Sequence, residues 1–315
     1  MVKLGDVINV HYGKALKADQ RVSNGSVHVF GSSGIVGNHD KTLCSYPTII
    51  IGRKGSVGAI TWAPDGGWII DTAYYVEIKD NNKLDLRYLF YILSGIDLTK
   101  KTITTSIPGL NRDDLYDTFI KLPPFEEQKR IVDLLDKAEG IRQKREQAIK
   151  LADDFLRATF ATMYGNPITN PKKWPVHLMG EIIEFKGGNQ PPKSDFIFEP
   201  KQGYIRLVQI RDFKSDKYAT YIPQEKAKRI FEVDDVMIAR YGPPVFQILR
   251  GLSGSYNVAL MKASPKENIR KGFIFYLLQL PEYHDVVVKN SERTAGQTGV
   301  NLELLNKFNV PLPPI

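Results

Sequence analysis

The sequence is poor in the features that mark several protein classes. One of its 315 residues is cysteine, Cys44, so no internal disulfide can form and a disulfide-stapled secreted scaffold is excluded. Long hydrophobic runs are missing as well. The longest aliphatic-aromatic stretch, Phe273 to Leu278, falls far short of a bilayer span, and Met1 to Gly13 carries no apolar run of signal-peptide length. A cytoplasmic protein with no membrane segment is the expectation. The five histidines, His11, His28, His39, His177 and His284, are scattered outside any metal-ligand spacing. No Gly-x-Ser-x-Gly elbow and no Walker loop occur, so no metal or cofactor is expected.

Acidic residues are the minority charge. Forty-three Lys and Arg against 35 Asp and Glu give a net charge of +8, which points to a polyanionic partner without identifying it. The excess is uneven: residues 1–124 hold 14 basic and 12 acidic side chains, residues 125–164 hold 8 of each, and residues 165–315 hold 21 and 15.

The chain repeats itself. Leu4-Gly5-Asp6-Val7-Ile8 returns as Met179-Gly180-Glu181-Ile182-Ile183, and the run from Leu86 to Leu93 returns from Lys271 to Leu278. Gly109-Leu110-Asn111, Leu115 and Leu122-Pro123-Pro124 return as Gly299-Val300-Asn301, Leu305 and Leu312-Pro313-Pro314. The offset grows from 175 to 185 to 190, as loop insertions would produce. Each copy opens with β-branched and aromatic runs broken by turn residues, such as Pro47 to Ile51 and Val57 to Trp62, which read as strands and hairpins. Helical stretches near Leu86 to Leu93 and Gly272 to Leu280 follow. An α+β module of roughly 120 to 145 residues, present twice, is predicted.

Proline is absent between the copies from Phe125 to Tyr164, glycine occurs there only at Gly140, and Gly165-Asn166-Pro167 is a strong helix stop. Ile131, Leu134, Ala138, Ile141, Ala148 and Phe155 lie on an apolar seam of three- and four-residue steps, the pattern of a coiled-coil-type helix about 60 Å long. Its zero net charge argues against a DNA-binding arm and for a strut and docking surface.

Leu122-Pro123-Pro124-Phe125-Glu126-Glu127-Gln128-Lys129-Arg130-Ile131-Val132, preceded by Gly109-Leu110-Asn111 and leading into this helix, resembles the junction between a target-recognition domain and a spacer helix in specificity subunits of type I restriction-modification systems. The resemblance covers the whole chain. It implies a target-recognition domain at 1–124, a spacer helix at 125–166 and a second target-recognition domain at 167–315. It further implies a non-catalytic subunit that reads a bipartite, interrupted site on double-stranded DNA and directs adenine-methylating modification subunits to it, and through them restriction subunits. Family members close with a second spacer helix after the second Leu-Pro-Pro, and this sequence stops at Ile315. Truncation, or a partner helix from another chain with self-association through the spacer helix, are both expectations from that difference.

Candidate DNA contacts follow from residue chemistry. Gly52-Arg53-Lys54-Gly55-Ser56 offers two cations, a hydroxyl and backbone amides after a predicted strand, a set suited to phosphate oxygens, although a glycine-rich hairpin with solvated charges reads equally well. The second copy places Arg240-Tyr241 after the strand Val236 to Ile238. Arg206 to Asp212 alternates polar and apolar residues like a strand with one wet face. By period two only Gln209 and Arg211 share a side, and Arg206 needs a bulge or lies opposite; Arg206 suits guanine edges, Gln209 adenine edges and Arg211 either bases or phosphates, against the alternative of a plain solvated face. Lys14 and Lys193 complete the set, Lys193 in the polar loop from Asn189, and Gly296-Gln297-Thr298-Gly299 is a second polar loop. Two other readings stay open: a coiled-coil protein-interaction module without DNA specificity, and a magnesium-dependent nuclease using Asp65, Glu77 and Lys79 in a Pro-Asp…Glu-x-Lys pattern.

Overall fold

Short runs that are apolar without alternation suit strands covered on both faces, and two such runs in this sequence are central strands. In the computed structural model, which describes residues 1–101, 109–242, 244–266, 268–292 and 299–314, every residue of Thr48–Gly52 and of Val236–Ala239 is buried. The chain divides into two compact units, Met1–Gln147 and Ala148–Ile315.

The first unit holds an antiparallel sheet in the order Ile8–Tyr12, Ala73–Ile78, Thr48–Gly52, Ile60–Ala63. A smaller sheet orders Gly34–His39, Val27–Gly31 and Trp68–Ile69, with the last pair parallel. The helix Leu86–Ser94 starts where Asp85 accepts the Tyr88 amide at 2.8 Å, and it buries Tyr88, Leu89 and Leu93 in a core with Ile49, Ile51, Tyr74 and Val76. Burial of each such aliphatic or aromatic side chain is worth about 1.5–3 kcal/mol.

The second unit repeats this plan. Its main sheet runs Ile183–Gly187, Leu260–Pro265, Val236–Ala239, Ile248–Leu249, and its smaller sheet runs Tyr221–Pro223, Tyr204–Val208, Gly254–Tyr256, Ile230–Phe231. Parallel pairing in the smaller sheet again joins the first strand after the main sheet's edge to a later one, here Tyr204–Val208 to Gly254–Tyr256. Short helices Leu4–Val7 and Met179–Ile182, Leu86–Ser94 and Lys271–Leu277, Arg112–Tyr116 and Leu302–Asn306 occupy equivalent places. The repeat therefore reflects two copies of one topology.

Phe125–Tyr164 is one continuous helix of 40 residues. It stops where Gly165 adopts φ +82, a left-handed conformation open to glycine, and donates its amide to Ala161 at 2.8 Å. Both ends are anchored. At the start, the fully buried Gln128 donates to the Lys83 and Pro123 carbonyls at 2.8 and 2.9 Å and accepts the Asp85 amide at 2.9 Å. Arg87, lying over the rings of Trp62 and Phe90, pairs with Asp136 of the helix at 2.9 Å, and Tyr91 also donates to Asp136. At the far end Tyr164 packs in the second unit's core with Met179 and Ile274, and donates to the Pro311 carbonyl at 2.6 Å. Between the anchors the seam is bare. Ile131 packs on the first core, but Leu134, Ala138, Ile141, Ala148 and Phe155 are exposed, Leu134 by 69% and Phe155 by 68%. No helix among the described residues is long and apolar enough to cross a membrane.

Two local expectations shift. The strand expected from Val57 begins at Ile60, because Gly52 and Gly58 close a turn through a 2.8 Å bond from the Gly58 amide to the Gly52 carbonyl. The strand expected across Arg206 to Asp212 ends at Val208, and Ile210–Phe213 is a 3-10 turn capped by Asp212, whose carboxylate accepts the Gln209 amide at 2.8 Å.

Candidate nucleic-acid interface

At one end of each main sheet, segments far apart in sequence converge on an arginine. In the first unit Arg53 follows the central strand Thr48–Gly52. Its amide and that of Lys54 donate to the Thr72 carbonyl at 2.9 and 3.1 Å, and its own carbonyl accepts the Leu110 amide at 2.9 Å. Lys54 bridges to Gly109. The same segment around Thr72 holds the turn at the end of the first sheet strand, since Gly13 donates to the Ala73 carbonyl at 3.2 Å and Lys14 to the Ile69 carbonyl at 2.9 Å. Lys14, Arg53, Lys54 and Ser56 are thereby gathered at one end of one sheet, with Lys14, Lys54 and Ser56 exposed.

The second unit builds the same arrangement around Arg240. Its carbonyl accepts the Val300 amide at 3.0 Å, its amide donates to Ala259 at 2.8 Å, and Tyr241 bridges to Gly299. Gly188 and Asn189 donate to Leu260 and Tyr256, as Gly13 and Lys14 do in the first unit. The repeated asparagines act alike: Asn111 and Asn301 each cap a short helix, accepting the Asp113 and Leu304 amides at 3.1 Å. The duplicated Gly-x-Asn element is thus a clasp that fixes the arginine loop on one side and starts a helix on the other.

The surroundings of the two arginines differ. The Arg53 guanidinium lies over the Tyr12 and Tyr74 rings at 5.0 and 5.7 Å and donates to the Asp71 carbonyl at 3.1 Å. Burial first, then the contact with Tyr12, pushes the Tyr74 hydroxyl up to about 12, so it stays a neutral donor to the Leu110 carbonyl at 2.9 Å. Arg112, the first residue after the Asn111 cap, adds a second guanidinium at 5.4 Å from the Tyr12 ring and 5.8 Å from Tyr116. Among the described residues Arg240 has neither companion. The positions matching Tyr12 and Arg112 are Gly187 and Leu302, a Cβ on Gly187 would come within 3.1 Å of the Arg240 Nη1, and the guanidinium rests over Tyr241 at 5.0 Å.

The remaining candidates lie elsewhere in the second unit. Arg206 is 18% exposed in its side chain and pairs with Asp216 at 2.8 Å, with the wholly buried Asp212 carboxylate 4.0 Å away. Burial raises the Asp212 carboxyl above its ordinary value against the pull of the Gln209 amide and Arg206. Arg206 is therefore committed to its own fold. Gln209 donates to Thr220 at 3.4 Å, while Arg211 is exposed and lies over Tyr218 at 5.6 Å. Lys193 is exposed at the start of the 3-10 turn Lys193–Asp195. Of the loop Gly296-Gln297-Thr298-Gly299, the first three residues lie outside the described residues.

Of Asp65, Glu77 and Lys79, the last two are engaged with other parts of the first unit. Lys79 donates to the Gly5 carbonyl at 2.5 Å, Glu77 sits 2.8 Å from His11, and among the described residues no three His, Cys, Asp or Glu are grouped to hold a metal ion. Arg112 is the cation of this cluster that the repeat passes over, because it places Leu302 opposite.

Comparison with known proteins bears on both units. The family described as the type I restriction modification DNA specificity domain matches residues 1–151 and again 171–315. The EcoBI type I restriction enzyme specificity subunit of Escherichia coli is 22% identical over 310 residues, covering 86% of this chain and 64% of that protein. The MjaVIII specificity subunit of Methanocaldococcus jannaschii is 20% identical over 276 residues, covering 76% and 62%. The chain thus spans less than two thirds of the length of these relatives. A crystal structure of a type I restriction-modification S subunit from M. genitalium shares the fold, with a TM-score of 0.60 at 18% identity over 98% of this chain and 83% of that one.

Proposed function

Because the chain belongs to the type I restriction modification DNA specificity family, we propose that it is a non-catalytic DNA-reading subunit, acting in the cytoplasm, whose two units each recognise one half of an interrupted site on double-stranded DNA. Residues 1–124 and 167–315 are the target-recognition domains of this reading, and residues 125–166 are the spacer between them. The relatives are named as specificity subunits of type I restriction enzymes, and this chain accordingly directs modification subunits, and through them restriction subunits, to the site.

One observation carries the proposal: an arginine after the same strand in both units, its carbonyl clasped by the amide that follows Gly109 or Gly299, with the exposed cations Lys14 and Lys54 on neighbouring turns in the first unit. Lys14, Arg53, Lys54 and Ser56 are the contacts of the first unit. Arg240 and Tyr241, with Lys193 and Arg211, are those of the second. Arginine suits this task because its fork bonds guanine edges and phosphates bidentately. Footprinting with modification subunits present tests it. Two protected segments separated by an unprotected gap are expected, and one continuous or sequence-independent footprint would refute it.

A further inference from the structure

We propose that Arg53 and Arg112 of the first unit form a clamp for the phosphodiester backbone that the second unit lacks. The inference rests on the DNA-reading function above and assigns a chemistry to one part of its surface.

Two like charges meet on one ring. The guanidinium carbons lie 5.0 and 5.4 Å from the centre of the Tyr12 ring, and Tyr12 is itself 46% exposed, so the cluster opens to solvent. Such a pair is repulsive, and in folded proteins convergent cations are normally offset by carboxylates. None does so here. Neither arginine forms an ion pair with any described carboxylate, Arg53 is bonded through Nη1 to a backbone carbonyl, and the Arg112 Nε is buried with no hydrogen-bond partner. An anion beside the two forks would take up the guanidinium donors that are not buried and remove the repulsion together.

The geometry favours phosphate over a base. Both side chains are folded back over aromatic rings, Arg53 on Tyr12 and Tyr74, Arg112 on Tyr12 and Tyr116, and the Tyr116 hydroxyl is fixed by the Val10 amide at 2.9 Å. Side chains held down in this way present their N–H edges at the sheet end instead of extending into a groove, which suits backbone oxygens that come to the protein surface. In the second unit the equivalent places hold Gly187, Met261 and Leu302, and among the described residues Arg240 stands over Tyr241 alone. The clamp therefore anchors one half of the complex, independently of sequence.

The test uses the full chain assembled with modification subunits, and two duplexes of equal length, one with the target site and one with both halves scrambled. Arg112→Leu installs the residue of the second unit. Affinity for both duplexes should fall by a similar factor, several-fold to about tenfold near 0.1 M salt, and the slope of log affinity against log salt should drop by about 0.9. Arg112→Lys should keep the slope. Arg112→Gln gives the same readout as the leucine variant should that protein fail to fold. Loss confined to the target duplex would make Arg112 a base contact and overturn the clamp, as would unchanged binding to both. Unchanged DNA affinity with weakened assembly would assign the cations to a protein carboxylate and likewise overturn it. A wild-type assembly that cannot tell the two duplexes apart would instead refute the DNA-reading function.

Discussion

Gln128 is the side chain on which the junction between the first unit and the long helix turns, and replacing it gives a sharp prediction. Its amide serves three backbone groups at once, two carbonyls at 2.8 and 2.9 Å and one N–H at 2.9 Å, in a site with no solvent exposure. Gln128→Ala leaves all three without partners. At about 1 kcal/mol for each lost bond, and more where a group stays dry, the first unit should lose about 3 to 5 kcal/mol. Urea unfolding should show the lowered midpoint, and amide exchange should show early loss of protection at Asp85, whose N–H is one of the three. Gln128→Glu turns two donors into an acceptor facing two carbonyl oxygens, which raises the folded-state pKa of the new carboxyl. That variant should be less stable than the alanine protein at neutral pH and recover as pH falls toward the ordinary glutamate value of about 4.3. A loss below about 1 kcal/mol for Gln128→Ala, with Asp85 still protected, would refute the reasoning.

Arg240→Ala should weaken binding to its half-site by about 1 to 3 kcal/mol while leaving the other half-site's contribution unchanged if Arg240 reads a base; an equal loss on every sequence would make it a phosphate contact. Arg206→Ala should act on folding, with a loss of about 3 kcal/mol in thermal unfolding of the second unit, because it strips the cation from beside the wholly buried Asp212; an intact melting curve with lost target preference would reverse that assignment. Burial alone would raise the Asp235 carboxyl, but Lys271 at 2.7 Å, the Glu232 amide and Lys262 together hold it below its ordinary value. A depressed folded pKa stabilises above the unfolded value of about 3.9 and loses that contribution as pH falls through the folded one, so Asp235→Asn should be less stable at neutrality and flatter in the acid limb.

The repeat was legible because a shared topology forces the same residue types into the same places. Leu4 and Met179 open equivalent short helices, Asn111 and Asn301 cap equivalent ones, and the fully apolar strands Thr48–Gly52 and Val236–Ala239 sit at the centre of equivalent sheets. The long helix was legible from its three- and four-residue apolar steps and its missing proline, and it ends at Tyr164, just before the Gly165 stop. Contacts between distant segments were not. Residue chemistry made Arg206 look like a base reader although period two set it opposite Gln209 and Arg211, whereas the strand ends at Val208 and the turn that follows brings Asp212 and Asp216 against it. Arg112 was hidden for the opposite reason: the repeat comparison that exposed Arg53 and Arg240 places a leucine at its counterpart. A duplicated fold reveals what its copies share and conceals what one copy adds.

The most direct test of the account is methylation mapping of DNA from cells that express this chain with type I modification subunits. Two short specified segments separated by a gap of fixed length and unspecified sequence are predicted, with Arg240→Ala relaxing one segment alone. Methylation without a motif, or at a single uninterrupted one, would contradict the claim that each unit reads one half of the site.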